Sequence, residues 1–350
     1  MDPNPQPYML SEDESRAIFE QDILPAELGG LEHPVSAHGD DGTSRTPLAV
    51  LLIGQTGAGK TRTAPTIKEA IIRLRGAANF VHFVADTYKT YHPAYAPLLS
   101  THPTLASPAT SPDARRWLSM AASVAASRRA DVLLESAARH PGDFAELALL
   151  FRGKGYRVEV AVLAVPAALS RLGILTRFHG KLPEAGPSGG LPIRLTPRKV
   201  HDESYAGLLS AAAFVDSGAA VDQVVVVRRD NMVAYANERV NGTWKWGPGV
   251  AEAVRVERRR PLTLVERAAA ESSLKRLREM NIPGLSSQLE EIEELLKPLL
   301  VDTDTLAYEP LKPLSLPNSA HDEQFDNDAG LRLGILSLSL QNGIQISHEL

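Results

Sequence analysis

Residues 47–61 read PLAVLLIGQTGAGKT and join an apolar run of strand length to a glycine-rich turn that ends in Lys60-Thr61. A continuous apolar run of this kind is typical of a parallel strand that is covered on both faces. Residues 54–61 match the pattern G-x-x-x-x-G-K-[ST] in full. In such a loop the backbone N–H groups turn inward around phosphates, and the start of the following helix adds its positive end. The stretch therefore predicts a nucleotide-phosphate site between a buried strand and a helix.

The residues of this P-loop have separate expected roles. Lys60 would reach the β- and γ-phosphates as a point charge, and the hydroxyl of Thr61 would take a place on Mg²⁺. The nucleotide-binding set that we expect for ATP is the loop together with the side chain that follows it: Gly54, Gln55, Thr56, Gly57, Ala58, Gly59, Lys60, Thr61 and Arg62.

Short apolar runs and longer helical segments alternate beyond the P-loop. Further strands are predicted at 79–84, 131–134, 157–165 and 223–227, and helices near 61–75, 112–128, 143–153, 166–179 and 197–213. Strands that alternate with helices of this length indicate βαβ units with right-handed crossovers. The sequence therefore predicts an α/β fold of the P-loop kinase type, with three layers around a mainly parallel sheet.

Composition divides the chain into four expected regions. They are an N-terminal helix and loop (1–46), the P-loop kinase domain (47–240), a helical C-terminal extension (241–300) and a tail (301–350). The tail is rich in Pro and acidic residues and then in apolar residues and Ser, and we expect it to be either mobile or a partner-dependent segment. We expect the arginine-rich stretch 255–260 to form a solvated face rather than a nucleic-acid patch, because the chain is acidic overall.

Composition also excludes several classes of function. The 350 residues carry a formal net charge of −5 and contain no cysteine. A disulfide framework, a thiolate zinc site, an iron–sulfur cluster and a cysteine nucleophile are therefore excluded. The first residues do not form a secretory signal, and no apolar stretch reaches the roughly 18 residues that a membrane span needs. We expect a cytoplasmic protein that binds neither nucleic acid nor a membrane.

Two acidic residues at strand ends favour a small-substrate kinase over a GTPase or a motor ATPase. The third strand ends in Glu135, where those proteins usually place an aspartate, and no N-K-x-D motif follows. Asp86 comes directly after the second strand, at the sheet edge where ligands bind. A carboxylate there suits the general base that takes the proton of an acceptor hydroxyl. An alternative role for Asp86 is to cap the short helix that follows it, and the two roles are compatible.

Around these residues, from about residue 11 to about residue 235, the chain resembles the zeta toxin family of P-loop kinases. The family pattern Asp-x-[Phe/Tyr]-[Lys/Arg]-x-x-His-Pro stands here as DTYKTYHP, residues 86–93, about 25 residues after the P-loop. The family's Glu-[Gly/Ser]-Thr element reads Glu-Ser-Ala at 135–137. Arg177 and Arg194 stand where the family has two arginines, the second just before a Thr-Pro-[Lys/Arg] element.

The resemblance implies phosphorylation of the 3′-hydroxyl of the sugar of UDP-N-acetylglucosamine, with ATP and Mg²⁺. It also implies a toxin that a small helical antitoxin neutralises by covering the nucleotide site, with the first helix of this chain nearby. Asp86 would be the general base, and Lys60, Arg177 and Arg194 would complete the catalytic set around the transferring phosphate. The expected substrate-binding residues are Asp86, Lys89, His92, Glu135, Ser136 and Arg139. For His92 a hydrogen bond that anchors the turn is an alternative role.

Two departures from the family pattern leave the acceptor open. Ala137 stands where the family usually has Thr, and Ser119 is neutral where the family can carry a substrate-binding carboxylate. The loss of one hydrogen-bond partner for a hydroxyl can change substrate preference by orders of magnitude. Another nucleotide sugar, a dinucleotide or an antibiotic is therefore an alternative acceptor. A non-catalytic nucleotide-binding module is a further alternative, although it would not need Asp86.

Overall fold

A mainly parallel sheet runs through the middle of the protein, which we describe from a computed structural model over residues 8–31, 45–181, 195–301, 310–319, 322 and 324–335. Its parallel strands follow the order β2-β3-β1-β4-β5. They are β1 (Leu48–Gly54), β2 (Phe80–Val84), β3 (Asp131–Ser136), β4 (Arg157–Leu163) and β5 (Gln223–Val227). The strands β6 (Met232–Val240), β7 (Thr243–Trp244) and β8 (Lys312–Pro313) add antiparallel pairs at the β5 edge. The predicted α/β fold with a mainly parallel sheet is confirmed.

Helices connect and cover these strands. The chain begins with α1 (Glu12–Ile18) and α2 (Leu24–Leu28), joined by a π-helical turn, and α3 (Lys60–Arg75) follows β1. The middle of the chain contains α4 (Tyr95–Thr101), α5 (Pro103–Ser127), α6 (Pro141–Gly153), α7 (Ala167–Lys181) and α8 (Arg198–Asp216). The C-terminal helices are α9 (Val250–Arg259), α10 (Leu264–Glu279) and α11 (Leu285–Leu296). Within the described ranges, no helix is both long and apolar enough to span a bilayer.

Alternate residues of β1 face two different hydrophobic cores, as the pleat of a strand requires. Leu51 and Ile53 belong to the core that Trp117 of α5 fills, whereas Val50 and Leu52 face the core on the other side of the sheet. That second core contains apolar residues of α3, α7, α10 and α11. The C-terminal helices are therefore part of the same packed body as the P-loop strand.

Part of the expected tail is also built into this body. Leu331 and Leu333 have no exposed surface, and the N–H groups of Leu333 and Gly334 donate to the carboxylate of Glu159 in β4. Within the expected tail, residues 331–334 are therefore held in the core by apolar burial and by hydrogen bonds to a buried charge. Residues 302–309, 320, 321, 323 and 336–350 lie outside the described residues.

Only part of the arginine-rich stretch 255–260 is the solvated face that the sequence suggested. Glu257, Arg258 and Arg260 are buried, because this side of α9 and the residue after it face the protein. Arg260 donates to Glu257 and to both carboxylate oxygens of Glu266. Arg260 therefore pairs with two carboxylates in the interior, whereas Arg255 and Arg259 are exposed.

Candidate active site

The P-loop occupies the turn between β1 and α3, and its shape depends on two glycines. Gly57 and Gly59 have φ angles of +82° and +106°, which side chains with a Cβ rarely adopt. A side-chain carbon at Gly57 would stand 2.1 Å from the carbonyl oxygen of Ser170 in α7. The loop therefore packs tightly against α7, and α3 begins at Lys60, whose ammonium donates to the carbonyl of Gly54 at 2.6 Å.

Three of the expected nucleotide-binding residues, Gly54, Gln55 and Ala58, are not among the residues that line the cleft. Gln55 and Ala58 are completely buried, and Gly54 has no side chain. The amide of Gln55 donates to the carbonyl of Val165 at 2.5 Å and accepts from Arg258 of α9 at 3.2 Å. The side chain of Gln55 therefore holds the loop from behind, while Thr56, Gly57, Gly59, Lys60, Thr61 and Arg62 line the cleft in front.

A cleft of about 1350 Å³ opens at the carboxyl edge of the sheet and joins the P-loop to the ends of β2 and β3. Lys60, Asp86, Glu135 and Arg177 all line it. Burial lowers the pKa of Lys60, the negative charges of Asp86 and Glu135 oppose this shift, and the positive charge of Arg177 adds to it. The structure therefore brings together four site residues that the sequence separates by up to 117 positions (177 − 60).

Asp86 lies between the end of β2 and the short 3-10 helix Thr87–Tyr91. Its carboxylate accepts a hydrogen bond from the ammonium of Lys89 at 2.5 Å and is half exposed. No hydrogen bond from its side chain caps the 3-10 helix. The capping role considered from the sequence is therefore not seen, and the carboxylate faces the cleft.

Glu135 lies at the end of β3 with its side chain 8% exposed. Its carboxylate is 3.0 Å from Nε2 of His82 in the neighbouring strand β2. Sequence reasoning missed His82, because only the adjacency of β2 and β3 brings it to Glu135. The two departures from the expected pattern, Ala137 and Ser119, both line the same cleft.

The remaining expected substrate-binding residues are divided between the wall of the cleft and the protein interior. Ser136 and Arg139 line the cleft, where Arg139 pairs with Glu203 at 2.6 Å. His92 does not line it and is only 3% exposed: its Nδ1 accepts from the N–H of Ala94 and its Nε2 lies 3.0 Å from the carbonyl of Tyr8. The structure thus favours the turn-anchoring role of His92 over substrate binding, because both ring nitrogens already have partners. Arg194 lies outside the described residues.

Further cations that the sequence analysis did not select also line the cleft. Arg115 of α5, which pairs with Asp143 at 3.3 Å, is one of them. Arg229 lies next to the P-loop, where its guanidinium donates to the carbonyl of Leu169 at 2.8 Å. Arg229 comes two positions after β5. The rule that ligands bind at the carboxyl ends of parallel strands, which selected Asp86, therefore applies to Arg229 as well; we call it the strand-end rule.

Comparisons with known proteins agree with this geometry. A family model described as Zeta toxin matches residues 37–240. Toxin PezT of Streptococcus pneumoniae serotype 4 is 28% identical over 193 residues, which are 55% of this chain and 73% of that protein. Toxin zeta of Enterococcus hirae is 23% identical over 192 residues, which are 55% of this chain and 64% of that protein.

A solved structure with a similar fold comes from the PezAT chromosomal toxin–antitoxin system of Streptococcus pneumoniae. It superposes with a TM-score of 0.58 and is 21% identical, over 79% of this chain and 100% of that chain. At this level of identity the likeness concerns the fold.

Proposed function

Because the chain belongs to the zeta toxin family, we propose that it is an ATP-dependent kinase that phosphorylates the 3′-hydroxyl of the sugar of UDP-N-acetylglucosamine. The observation that carries the proposal is the presence of Asp86 and Glu135 in the same cleft as the P-loop lysine. A module that only binds nucleotides needs the P-loop, but it does not need two carboxylates beside the terminal phosphate.

The proposed reaction uses these side chains in separate roles. Lys60 and the start of α3 hold the transferring phosphate, and the planar guanidinium of Arg177 matches its oxygens. The acceptor oxygen forms a bond to the γ-phosphorus while the bond between that phosphorus and the β–γ bridging oxygen breaks, and ADP leaves. The hydroxyl proton passes to the carboxylate of Asp86, which the hydrogen bond from Lys89 orients.

The donor set also fits Mg²⁺ as a companion of ATP. Thr61 is exposed on the cleft wall, and the described residues contain no cluster of three or more acidic or His side chains that could hold a metal. Mg²⁺ usually takes only one or two protein ligands and completes its shell with phosphates and water. When bound, it would neutralise charge on the phosphates, and the Thr61 hydroxyl would be its protein ligand.

The acceptor half of the cleft offers groups for both parts of a nucleotide sugar. Glu135, held by His82, would accept hydrogen bonds from sugar hydroxyls. Lys89, Arg115 and Arg139 line the same half and would donate to a diphosphate. These contacts support an anionic acceptor that carries free hydroxyls.

A second candidate function keeps the kinase and changes the acceptor. Ala137 and Ser119 line the cleft and remove polar groups that the family pattern usually offers there. Because a missing hydrogen-bond partner in a buried site discriminates strongly between hydroxyl compounds, another small hydroxyl acceptor is the alternative substrate.

Mass spectrometry of a phosphotransfer reaction tests the proposal. The full chain is incubated with ATP, Mg²⁺ and UDP-N-acetylglucosamine, beside Lys60→Ala, Asp86→Asn and, as a matched control, Asp13→Asn on the exposed face of α1. We expect a product that is one phosphate heavier with the wild type and with Asp13→Asn, and none with the other two. If the wild type hydrolyses or binds ATP without such a product, the substrate assignment is wrong and other hydroxyl acceptors must be screened.

We also propose that the chain acts as the toxin of a toxin–antitoxin pair, in line with the system from which the solved relative comes. Helix α1 packs on α5, where the carbonyl of Ser15 accepts from the indole of Trp117, and α5 lines the cleft. An antitoxin that covers the cleft would therefore also meet α1. Expression of the chain alone in bacteria should stop growth, and Lys60→Ala should relieve the arrest; arrest by both forms would separate toxicity from phosphotransfer.

A further inference from the structure

Helix α10 lies C-terminal to the segment that the family model matches, yet it forms part of the wall of the same cleft. Val265, Glu266, Ala269, Ser273 and Arg276 of this helix line the cleft together with the P-loop. Val265 is 80% exposed, and Ala269 is also exposed. These two small apolar side chains present a flat, uncharged surface on this wall of the cleft.

The order of the strands fixes the direction in which a nucleotide would extend from the P-loop. The strands β3 and β2 lie on one side of β1 and carry Glu135 and Asp86, whereas β4 and β5 lie on the other side. A transferring phosphate must lie between Lys60 and Asp86. The rest of the nucleotide therefore extends toward the ends of β4 and β5, which is the side of α7 and Arg229.

The residues on that side are suited to a flat aromatic base. Leu169, Leu172 and Gly173 of α7 line the cleft there, and a side-chain carbon at Gly173 would stand 2.5 Å from the guanidinium of Arg229. The planar guanidinium thus lies directly on the glycine. Apolar side chains beside an arginine plane are the surroundings that favour stacking of a nucleobase.

Charge on this side matches the phosphates that precede the base. Burial lowers the pKa of Arg229, the positive charge of Arg62 lowers it further, and the carboxylate of Glu266 opposes the shift. The side chains of Arg62 and Arg229 are both cationic, so an anion bound in the cleft beside them would be attracted. Both arginines line the cleft.

Helix α10 is fixed in place, so it can serve as a wall. Thr263 and Glu266 form a capping box at its first turn, and Arg260 donates to both oxygens of Glu266 at 2.6 Å. Leu274 and Leu277 of the same helix are buried in the core that contains Val50 and Leu52 of β1. The exposed face of α10 toward the cleft is therefore held by packing on its opposite face.

We propose that the face of α10 formed by Val265 and Ala269 packs against the base of the bound nucleotide, opposite α7. This inference rests on the proposed function, since it assumes a nucleoside triphosphate on the P-loop. It adds that affinity for the base depends on the C-terminal extension, whereas affinity for the phosphates depends on the P-loop.

Titration calorimetry of the full chain with ATP and with inorganic tripolyphosphate tests the inference. The test variant is Ala269→Gln, and the matched control is Ala268→Gln, because Ala268 is an exposed neighbour on the same helix that does not line the cleft. Glutamine is a good helix former, so neither change disturbs α10. We expect Ala269→Gln to weaken ATP about tenfold, which corresponds to about 1.4 kcal/mol, and to leave tripolyphosphate unchanged.

The outcomes separate this inference from the function on which it rests. Equal ATP affinity in Ala269→Gln and Ala268→Gln would overturn the inference, and so would an equal loss of tripolyphosphate binding in Ala269→Gln. If the wild type binds tripolyphosphate as tightly as ATP, the phosphate site is supported, but the proposed contact between α10 and the base is refuted. A wild type that binds neither would refute the nucleotide site and the inference together.

Discussion

Replacement of Glu159 by Gln should destabilise the protein strongly, because this carboxylate holds the C-terminal stretch to the sheet. Glu159 has no exposed surface. One of its oxygens accepts the N–H of Leu333 at 2.9 Å. The other accepts the N–H of Gly334 at 3.0 Å and Nε of Arg157 at 2.6 Å.

The geometry sets the size of the effect. A glutamine offers one oxygen, so its NH₂ group would face a donor and leave at least one buried N–H without an acceptor, which costs about 1–3 kcal/mol. Burial lowers the pKa of Arg157, but the charge and the hydrogen bond of Glu159 outweigh it and raise that pKa above its ordinary value. Removal of one member of such a buried pair costs about 3–5 kcal/mol. We therefore expect the free energy of unfolding to fall by about 4 kcal/mol, within the range measured for broken buried pairs.

Urea unfolding of the full chain measures this loss. Glu293→Gln is the matched control, since Glu293 pairs with Arg278 at the surface, and such pairs contribute about 0–1 kcal/mol. A double-mutant cycle adds a chain that ends at Asp328. Without Leu333 and Gly334 the effect of Glu159→Gln should fall to the part that comes from Arg157. An equal loss in both backgrounds would refute the reasoning, because the tail would then not be bound by Glu159.

Three further predictions concern the site. Asp86→Asn should lower kcat by about 10²–10⁴-fold, as expected for a lost general base, while calorimetry shows ATP binding retained. Arg258 is buried with no hydrogen-bond partner at Nε and Nη1, and burial lowers its pKa to about 10. Arg258→Met should weaken ATP binding, because it leaves the buried amide oxygen of Gln55 behind the P-loop without a donor. Calorimetry measures this loss, and an unchanged affinity for ATP would contradict the prediction. Burial lowers the pKa of His201 in the folded protein. Between that pKa and about 6.5 only the unfolded chain takes up the proton, so stability to urea should fall as the pH drops below about 6.5. The stability of His201→Gln should depend less on pH.

The parts of the site that are local in sequence could be predicted from it. The P-loop and Asp86 each follow a short apolar run, and the end of a parallel strand places a side chain at the ligand edge whatever its neighbours are. The contact between His82 and Glu135 could not be predicted in the same way, because it depends on the pairing of β2 with β3. Arg229 satisfies the strand-end rule, but residues 229–232 are also typical of a turn into an antiparallel strand, and a turn residue has no evident role in a ligand site.

The C-terminal stretch shows a limit of reasoning from composition. Its Pro-rich and acidic residues are typical of a mobile segment, yet Leu331 and Leu333 are fully buried. The sequence signal that could have indicated this burial is the presence of a polar residue, Glu159 or Gln223, in each of two mainly apolar strands. A buried polar group requires a hydrogen-bond partner, and here the partners are 100 or more residues away: the N–H of Arg332 donates to Gln223, and that of Leu333 to Glu159.

The matched segment contributes to both halves of the cleft, and the C-terminal extension adds to the half that we assign to the nucleotide. Asp86 and Glu135, on the acceptor side, lie within the segment that the zeta toxin model matches. The opposite side depends on the extension: Arg258 of α9 donates to Gln55 behind the P-loop, and Ala269 of α10 lines the cleft in front of it. Substitutions in the extension should therefore change the affinity for the nucleotide without changing the choice of acceptor, whereas substitutions at Glu135 should do the reverse. Measurement of KM for ATP and for the acceptor in both kinds of variant would show whether the two halves are separable, and a shift of both constants together would contradict this division.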